Sequence, residues 1–585
     1  MSEKRNSYLV SKALKNFLFA SVLASLAQRL ATMTDAIVVS NLIGPDAISA
    51  INVVTPIITL FPTISILFGI GGSVLAAKAI GRHDEQEANG VFTTALIAAL
   101  FTGILLSVVL FCLTPQIVSL VCPHDSRFFD MAVSFMHIMS LSAVPMILGF
   151  TLQSFVKTDG NPRLVMITVL SSTVLNVVLD IVFIRYCGMG IAGSAWGTIL
   201  CFLFSLTVCL LHFRSPHSSF HLQFVRKKMS SYVTRCITEG FPMSINTLMM
   251  GLCVYAFNSI VIHSAGADGM YVWSVCLQLL MLIQLMVAGV SSSIYSIGGM
   301  MIGEQDMTGL TLLMHRVFTY VTVAMTALIL LMEMWPEAFG NLFGGSTSGV
   351  SQLLHTALRI FALVLLPYAL VTLLNALYQI LGYRSVSIVV SITQLALMVL
   401  VVGLFAHISP TLLWWGYPAS ALVLTVLLLA YTAVIHHRHP AVAPLTLIPQ
   451  SAEGRTLNIS IRITDDDVVD ALNRISRFLH EGHLSRPTAY HVRLCCEELL
   501  YNILRYAVRR HPQKHYIDLH ICQNDTTVTL LLKDDGRPFN PIRSSETATD
   551  ATGEHIGLRL VNATSQTLSY QYMYGQNRVY MTFNG

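Results

Sequence analysis

The feature that most constrains this chain is a series of long apolar segments. Apolar runs of about 20 residues, some extended by mildly polar flanks, can cross a bilayer core of about 30 Å as α-helices. Examples are Ile57–Ala77, Val91–Leu113, Leu164–Ile184, Ile199–Phe213, Val321–Met334 and Ala421–Ile435. Because lipid cannot satisfy backbone polar groups, such a series predicts an all-α polytopic membrane bundle.

Composition supports a membrane protein. The 585 residues are 54% hydrophobic and 11% charged, whereas soluble domains carry about 25% charged residues. The net charge of +4 is too small to indicate a nucleic-acid binder. Helix breaks at the polar and Gly/Pro clusters divide the apolar part into about twelve spans. The first span contains Arg29 and Asp35 and lacks a small-residue cleavage site, so we interpret it as a retained helix and not a signal peptide.

Lysine and arginine residues fall into alternate loops between these spans. One side of the membrane has little beyond Arg127 and Arg185. The other side has Lys4, Arg5, Lys12, Lys15, Lys78, Arg82, Lys157, Arg163, Arg214, Arg226, Lys227, Lys228, Arg235, Arg316, Arg384 and Arg438. The positive-inside rule therefore predicts that both termini lie in the cytoplasm, which requires an even number of spans. We expect the protein, with its C-terminal domain in the cytoplasm, to lie in a bacterial cytoplasmic (inner) membrane.

The membrane part shows an internal repeat with an offset of 222 residues. This offset relates Pro145 to Pro367, Gly160 to Gly382, Gly81 to Gly303 and Gly44 to Gly266. Each copy holds six spans, so the two copies run parallel, about an axis along the membrane normal. Secondary transporters use this arrangement to bind substrate between halves that rock alternately.

The two copies differ in their acidic residues. Asp35 and Asp180 lie within apolar spans of the first copy, whereas the offset takes Asp180 to Val402 and Asn176 to Met398. A carboxylate at a helix centre costs about 2.5–3.5 kcal/mol on insertion scales, so it needs a use or a partner. Asn176 and Asp180 share one helix face. Two carboxylates close together in low dielectric, Asp35 and Asp180, suit proton pickup and release. Each aspartate could instead be a hydrogen-bonded polar residue at a helix–helix contact.

Several segments resemble the multidrug and toxic compound extrusion (MATE) family. They are Asp35-Ala-Ile-Val-Val-Ser-Asn-Leu-Ile-Gly44, Phe68-Gly-Ile-Gly-Gly-Ser, Asp159-Gly-Asn-Pro162, Asn176-Val-Val-Leu-Asp180 and Gly188-Met-Gly-Ile-Ala-Gly-Ser-Ala-Trp-Gly-Thr198. The resemblance covers residues 10–438. It implies a MATE-like first lobe over residues 1–220 (spans 1–6) and a second over residues 221–438 (spans 7–12).

This resemblance also implies an antiporter that expels amphipathic, often cationic, compounds against inward H⁺ or Na⁺. The family's coupling-cation site maps onto Asp35, Asn176, Asp180 and Thr198 in the first lobe. Some members also use a carboxylate of the second lobe. Glu239 lies at the start of the seventh span and is no clear equivalent.

The composition changes after His436-His437-Arg438-His439-Pro440, which we interpret as a basic membrane exit. A linker over residues 439–455 leads to a C-terminal domain over residues 456–585 in which long apolar runs are missing. Its pattern predicts an α/β fold. Strands are expected near Leu457–Ile463, Tyr516–Cys522 and Thr526–Lys533, with helices over Asp467–His480 and Thr488–Val508.

Three motifs in this region indicate a nucleotide site without a P-loop. Glu498 and Asn502 lie four residues apart on one helix face, where an amide oxygen beside a carboxylate can supply a ligand to Mg²⁺ and activate a water. Lys533-Asp534-Asp535-Gly536-Arg537-Pro538-Phe539 ends a strand with an acceptor and a flexible glycine. Gly553-Glu-His-Ile-Gly557 enters a helix whose N-terminal N–H groups suit phosphate. Each motif alone is also typical of a solvated helix or a turn.

Their order resembles the histidine-kinase-type (GHKL) ATP-binding fold, most closely the anti-sigma-factor serine kinases. By that resemblance Asn502 holds Mg²⁺, Glu498 is the catalytic general base and Asp534 accepts from adenine. Gly536, Gly553 and Gly557 shape the lid and the phosphate loop. His555 replaces a glycine of that loop, which lowers the expected ATP affinity.

The leading hypothesis is a cation-coupled multidrug efflux antiporter with a regulatory ATP-binding domain. A second is a membrane-tethered serine kinase or anti-sigma switch, with the bundle as sensor and a STAS-type protein or sigma factor as partner. A third is a lipid or polysaccharide flippase. The sequence does not choose between H⁺ and Na⁺, and it leaves open whether the C-terminal domain is an enzyme.

Overall fold

The computed structural model describes residues 6–121, 129–215, 218–338, 348–450, 454–482, 484–507, 515–524, 527–543 and 556–584. Its membrane helices are α1 Tyr8–Leu42, α2 Pro45–Ile58, α3 Leu60–Gly81, α4 Glu85–Cys112, α5 Thr114–Val121, α6 Phe129–Met139, α7 Ala143–Thr158, α8 Pro162–Asp180, α9 Ile191–Phe213, α10 Met229–Ser293, α11 Gly299–Gly303, α12 Met307–Met334, α13 Ser348–Ala362, α14 Leu365–Ile380, α15 Arg384–Ile408 and α16 Leu413–Arg438. Wider helical turns follow α8 at Ile181–Tyr186 and α10 at Ile294–Gly298.

Eleven of the described helical segments are long and apolar enough to span a membrane. The stretch from Met229 to Gly266, the first arm of α10, is also helical and is not one of these eleven. A polytopic bundle of about this size is what the sequence predicts. The predicted all-α membrane fold is therefore confirmed.

The internal repeat is visible in the backbone. Gly44 and Gly266 both adopt positive φ, at 121° and 67°, and each separates two helices of its copy. Gly160 and Gly382 are also paired, with φ of 85° and 90°. A side chain disfavours this part of φ/ψ space, so glycine is required where the chain turns in this way. The matched positions show that the two copies turn at corresponding points.

We call α1–α9 the first lobe and α10–α16 the second lobe. The lobes contact each other where their equivalent turns meet, because a Cβ built on Gly81 would lie 2.9 Å from the Cα of Gly303, and the reverse is also true. Nearby, the hydroxyl groups of Thr158 and Ser296 lie 3.2 Å apart. The two lobes therefore touch at this end of the bundle.

A second close contact, which we call the lobe seam, joins α3 to the first arm of α10. A Cβ on Gly71 would lie 2.1 Å from the carbonyl oxygen of Cys236, which is closer than packing allows. We therefore expect Gly71→Ala to destabilise the protein by about 1–3 kcal/mol through overpacking. Thermal unfolding of the purified protein in detergent measures this as a lower midpoint.

Gly149→Ala is the matched control, because its added methyl would meet nothing closer than 4.0 Å. Alanine has the better helix propensity, so this variant should unfold at the same temperature or slightly higher. An equal midpoint for both variants would contradict the close contact at Gly71.

The C-terminal domain is one antiparallel sheet covered on one face by helices. Its strands are β1 Arg455–Arg462, β2 Tyr516–Gln523, β3 Thr527–Asp534, β4 Thr567–Met573 and β5 Gln576–Asn584, in the order β1-β2-β3-β5-β4. Its helices are α17 Asp465–Glu481, α18 Arg486–Asn502 and α19 Ile556–Thr564. The three predicted strands and two predicted helices are confirmed within a few residues at each end.

The sheet has two faces of different character. Alternate residues such as Leu530 and Leu532 point to the helices and form the domain's apolar core. The opposite residues form what we call the outer sheet face, and several of its polar members are buried, including Asp518, Lys533 and Arg578. Charged residues are seldom buried unless they have partners. The outer sheet face is buried because it lies against the membrane bundle.

The linker between the two parts packs against the second lobe. Tyr378 donates a hydrogen bond to the carbonyl of Leu445 over 2.5 Å, and Leu447 is buried among apolar residues of α14–α16. The chain therefore enters the C-terminal domain from a fixed point on the bundle.

Candidate functional site

The first lobe encloses a cavity of about 280 Å³ that three of the predicted site residues line. Asp35 comes from α1, Asn176 from α8 and Thr198 from α9. Other parts of the wall are apolar, with aromatic and methionine side chains contributed by α6 and α7. The fold therefore brings residues that are up to 163 positions apart to one chamber.

Asp180 lies beside this chamber, at the last residue of α8, and is fully buried. Its carboxyl group is close enough to that of Asp35 for the two to hydrogen-bond to each other. Neither oxygen of Asp180 accepts a hydrogen bond from an N–H or hydroxyl group among the described residues. Because two carboxylates have no donor between them, a hydrogen bond between them requires a shared proton.

Two residues of α9 shape the space around this carboxyl pair. Ser194 donates its hydroxyl to Asp35 at 3.4 Å. Gly197 leaves room for Asp180, since a Cβ there would lie 2.7 Å from a carboxylate oxygen. A wider helical turn begins directly after Asp180, and such turns are frequent at functional sites.

The second lobe has no such carboxyl pair at the equivalent positions. Val402 and Met398, which correspond to Asp180 and Asn176, are buried in the apolar core. Asn258, which aligns with Asp35 when one gap is allowed in the 222-residue offset, accepts a hydrogen bond from the Trp273 indole at 2.9 Å. The asymmetry expected from the sequence is therefore present in the structure.

Glu239 has a structural environment and does not line the chamber. Its side chain is almost completely buried at the lobe contact. It pairs with Arg384 of its own lobe at 2.6 Å and with Lys78 of the first lobe at 3.5 Å. A buried carboxylate held by two cations is suited to joining the lobes.

In the C-terminal domain, Asn502 and Asp534 line one narrow pocket with Tyr506, Phe539 and Asn577. The described walls enclose about 30 Å³, which is room for about one water molecule. A flat base would therefore need more room than the described walls leave. Its chemistry, an acceptor carboxylate beside aromatic rings, suits an adenine.

Asp534 is held by two donors. Its Oδ1 atom accepts hydrogen bonds from the Asn577 amide at 2.9 Å and from the Gly536 backbone at 2.8 Å. Burial raises the pKa of Asp534 to about 6, although these two hydrogen bonds act to lower it. The carboxyl is therefore ionised at neutral pH and protonated in mild acid.

Glu498 and Gly557 are adjacent, since a Cβ on Gly557 would fall within 1.9 Å of the glutamate carboxylate. Asn502 donates its amide N–H to the carbonyl of Glu498 at 2.7 Å, which leaves its amide oxygen as the group that can bind a cation. A wider helical turn follows Asn502, as it does Asp180. Gly553 lies outside the described residues.

Two family models match this chain, one in the membrane bundle and one in the C-terminal domain. Residues 20–182 match the MatE family, and residues 461–583 match the histidine kinase-like ATPase domain. The chain joins a MatE domain to a histidine kinase-like ATPase domain.

Relatives of the MatE part carry names that refer to drug export. The chain is 27% identical over 213 residues to the multidrug export protein MepA of Staphylococcus saprophyticus, covering 36% of this chain and 47% of that protein. The match to MepA of Staphylococcus haemolyticus covers 63% of that protein at 22% identity. The chain thus matches these two over only about half to two-thirds of their length. The probable multidrug resistance protein YoeA of Bacillus subtilis is 22% identical over 448 residues, which are 74% of this chain and 95% of YoeA.

Solved structures show the same fold beyond the MatE match. One is described as the outward-facing conformation of a multidrug resistance MATE family transporter of the MOP superfamily; it has a TM-score of 0.67 at 20% identity and covers 71% of this chain and 93% of its own. A MOP superfamily transporter from Pyrococcus furiosus, described as having a binding pocket of reverse polarity, has the same TM-score and covers 73% and 96%. These likenesses extend the transporter fold over both lobes.

Some site residues of the MatE and ATPase domains escape sequence reasoning. Ser172 lines the chamber one turn before Asn176, so extending the four-residue spacing of Asn176 and Asp180 back by one step would have indicated it. In the ATPase domain, Asn577 also accepts hydrogen bonds from the Phe539 N–H and the Tyr570 hydroxyl. It occupies a strand position that points to the apolar core, and a polar residue there indicates a site.

Proposed function

We propose that the chain is an efflux antiporter that couples the export of small amphipathic, cationic compounds to the inward movement of H⁺ or Na⁺. The MatE-type bundle carries transport, and the ATPase domain regulates it through ATP and Mg²⁺. The proposal keeps the domain boundaries expected from the sequence, with lobes over residues 1–220 and 221–438, a linker over 439–455 and the ATPase domain over 456–585.

The observation that carries this proposal is the Asp35–Asp180 carboxyl pair beside the chamber. Two carboxyl groups that share one proton in a low-dielectric setting carry one negative charge, and the same pair is neutral after it takes up a second cation. Uptake of a proton or Na⁺ neutralises the pair, and release restores its negative charge. Asn176 and Thr198 supply further oxygen atoms at the chamber wall, which suits a small cation.

The chamber suits the substrate class as well. Phe135, Phe150, Phe202 and Met146 line it together with Asp35. Aromatic faces attract cations, and an apolar wall accepts the hydrophobic part of an amphipathic molecule. An ionised Asp35 then attracts a cationic substrate, and neutralising it weakens that attraction. The coupling cation and the cationic substrate therefore compete for the same negative charge, and this competition couples the inward movement of one to the outward movement of the other.

Orientation follows from the charge of the loops. Lys12, Lys78, Lys157 and Arg384 all belong to the end of the bundle that carries the ATPase domain. The positive-inside rule assigns this end to the cytoplasm of a bacterial cell. This orientation also gives the ATPase domain access to cellular ATP.

Nucleotide binding is proposed from the residues of the ATPase pocket. Asp534 would accept from the adenine amino group, and Asn502 would hold Mg²⁺ through its amide oxygen. Gly536 fixes the Asp534 carboxyl through its N–H, while Gly557 brings the helix of the phosphate loop next to Glu498. The bound nucleotide would supply a phosphate chain at the start of α19.

Serine kinase activity toward a STAS-type protein is a second candidate for the ATPase domain. The observation that favours it is the position of the Glu498 carboxylate beside Gly557, where a general base would be needed. The bundle covers the outer sheet face and leaves the helical face for such a partner. ATP-dependent labelling of that partner would distinguish this activity from regulation by binding alone.

The test of transport uses the purified full chain in proteoliposomes. We expect the liposomes to accumulate a fluorescent lipophilic cation such as ethidium when the coupling cation, H⁺ or Na⁺, is more concentrated inside them than outside. Collapsing the gradient with an ionophore should stop it, and comparing the two gradients identifies the coupling cation. ATP should change the rate and should not drive transport by itself.

Empty liposomes and liposomes without a gradient are the controls. Ethidium movement that needs ATP and ignores both gradients would contradict antiport. Movement of fluorescent lipid between leaflets in place of ethidium would favour the flippase hypothesis.

A further inference from the structure

The outer sheet face of the ATPase domain contacts both lobes. Toward the first lobe, the His83 ring stacks on Tyr580 with ring centroids 3.7 Å apart. The His83 ring nitrogen also lies 2.8 Å from the Ser569 hydroxyl. His83 stands in the turn between α3 and α4, so this contact fixes the domain to the first lobe.

Toward the second lobe, the outer sheet face forms a cluster of buried ion pairs. Lys533 contacts Glu304 at 2.9 Å and Asp306 at 3.6 Å, and Arg578 also pairs with Glu304. All four side chains are at most 8% exposed. Burial lowers the pKa of Arg578 to about 9, which leaves it charged at neutral pH.

The two turns that the domain contacts are equivalent in the internal repeat. His83 and Gln305 are related by the 222-residue offset and share positive φ, at 56° and 59°. They flank the point where Gly81 and Gly303 touch. The outer sheet face therefore lies across the contact between the lobes.

Further contacts tie the domain to α1 and α7. Lys12, near the start of α1, pairs with Asp535 at 2.5 Å. Tyr574 donates its hydroxyl to the carbonyl of Thr158, the last residue of α7, at 3.1 Å. Asp535 and Lys533 flank Asp534, so the strand end that lines the nucleotide pocket also holds both lobes.

We propose that the ATPase domain is a clamp that holds the two lobes together at its end of the bundle, so that this end opens only when the domain undocks. Lobes that rock must separate at one end of the bundle and then at the other. Because the ATPase domain contacts the turns at His83 and Gln305, one in each lobe, it opposes separation at its own end. The proposal rests on the proposed transport function, because rocking belongs to transport, but it does not depend on nucleotide binding.

Burial makes the clamp cooperative. Removing one partner from a buried ion pair leaves an uncompensated charge, which is strongly destabilising. Lys533, Arg578, Glu304 and Asp306 therefore separate together, into water, or not at all. Such an element has two states and can be switched by anything that binds one of them better.

The experiment uses Glu304→Lys in the full-length protein in nanodiscs, which places a third cation against Lys533 and Arg578. Its readout is the alkylation rate of Cys236 by N-ethylmaleimide, resolved by mass spectrometry. Cys236 is fully buried at the lobe seam and does not touch the ATPase domain in any described contact. If the clamp holds the lobes, the rate should rise by about tenfold or more, which corresponds to about 1.4 kcal/mol.

Three controls complete the design. Glu337→Lys makes the same charge change at an exposed site and should leave the rate unchanged. Cys187, which is exposed, should react equally in all proteins. Adding Lys533→Glu to Glu304→Lys returns an opposite charge to the cluster and should lower the rate again.

Lys12→Gln is a milder second variant, because its ion pair is one-third exposed on the lysine side. It should raise the Cys236 rate by a smaller factor without threatening folding. An unchanged Cys236 rate in folded Glu304→Lys and in Lys12→Gln would overturn the clamp. The readout needs neither substrate nor gradient, so a protein that shows the rise but exports nothing would support the clamp and contradict transport.

Discussion

Replacing Asp180 by Asn is expected to abolish gradient-driven export in proteoliposomes. The amide keeps the size of the side chain but cannot exchange a proton, and it removes one charge from the pair with Asp35. Asp35 beside a permanent amide donor stays ionised, so the pair no longer alternates between two charge states and the inward cation no longer drives the substrate outward. The measurement is the initial rate of ethidium accumulation under an imposed gradient, which should fall to the level of empty liposomes.

Folding must be separated from coupling in this test. No described N–H or hydroxyl donates to Asp180, and the Asn amide can donate to Asp35 in place of the shared proton, so the substitution removes negative charge from a buried pair without removing a donor. The thermal unfolding midpoint of the Asp180→Asn protein in detergent should therefore equal or exceed that of the unmodified protein. Asp130→Asn is the matched control, because Asp130 is exposed at the start of α6 and should keep full transport. Export that persists in folded Asp180→Asn would contradict the assignment of the coupling site.

The second large effect concerns nucleotide binding by the ATPase domain. Asn502→Ala should remove the Mg²⁺-dependent part of ATP binding, because it deletes the only amide oxygen that the described pocket offers on α18. Asp534→Asn should weaken binding by about tenfold to a hundredfold, since its amide leaves a buried hydrogen bond to adenine mismatched. Titration of the full-length protein with a fluorescent ATP analogue, with and without Mg²⁺, measures both effects.

Binding should also depend on pH. The pKa of Asp534 is raised to about 6 from its ordinary value of 3.8, so roughly a tenth of the carboxyl is ionised at pH 5. Only the ionised form is a full acceptor, so affinity should fall by about tenfold from pH 7 to pH 5. The folding stability of the ATPase domain without nucleotide changes in the opposite direction, because it falls as pH rises. A raised carboxyl pKa makes the fold less stable as pH rises from about 4 to 6.

Two comparisons make this result interpretable. Asp534→Asn should lose the pH dependence that comes from this carboxyl, while keeping any that comes from the nucleotide. Asp466→Asn, an exposed change on α17, should bind as the unmodified protein does. If Asn502→Ala and the unmodified protein bind equally with Mg²⁺, the metal assignment is wrong.

Much of this protein follows from local pattern. Apolar runs, the 222-residue offset and the alternation in β3 are properties of neighbouring or regularly spaced residues, so they predict helices, two copies and an α/β domain. Motif spacing likewise places Asn176 with Asp180 and Glu498 with Asn502, because residues four apart share a helix face. The positions of these elements in the structure agree with those expectations.

Residues far apart in the chain meet only through packing. The contact of Asp35 with Asp180 depends on how α1 lies against α8, and the pairing of Lys533 with Glu304 joins residues 229 positions apart. The sequence by itself determined the spans, the repeat and the candidate residues, since each rests on short-range periodicity. Only the tertiary structure decided which carboxyls share a site and which sheet face is buried on the bundle, because burial and charge pairing depend on the whole fold.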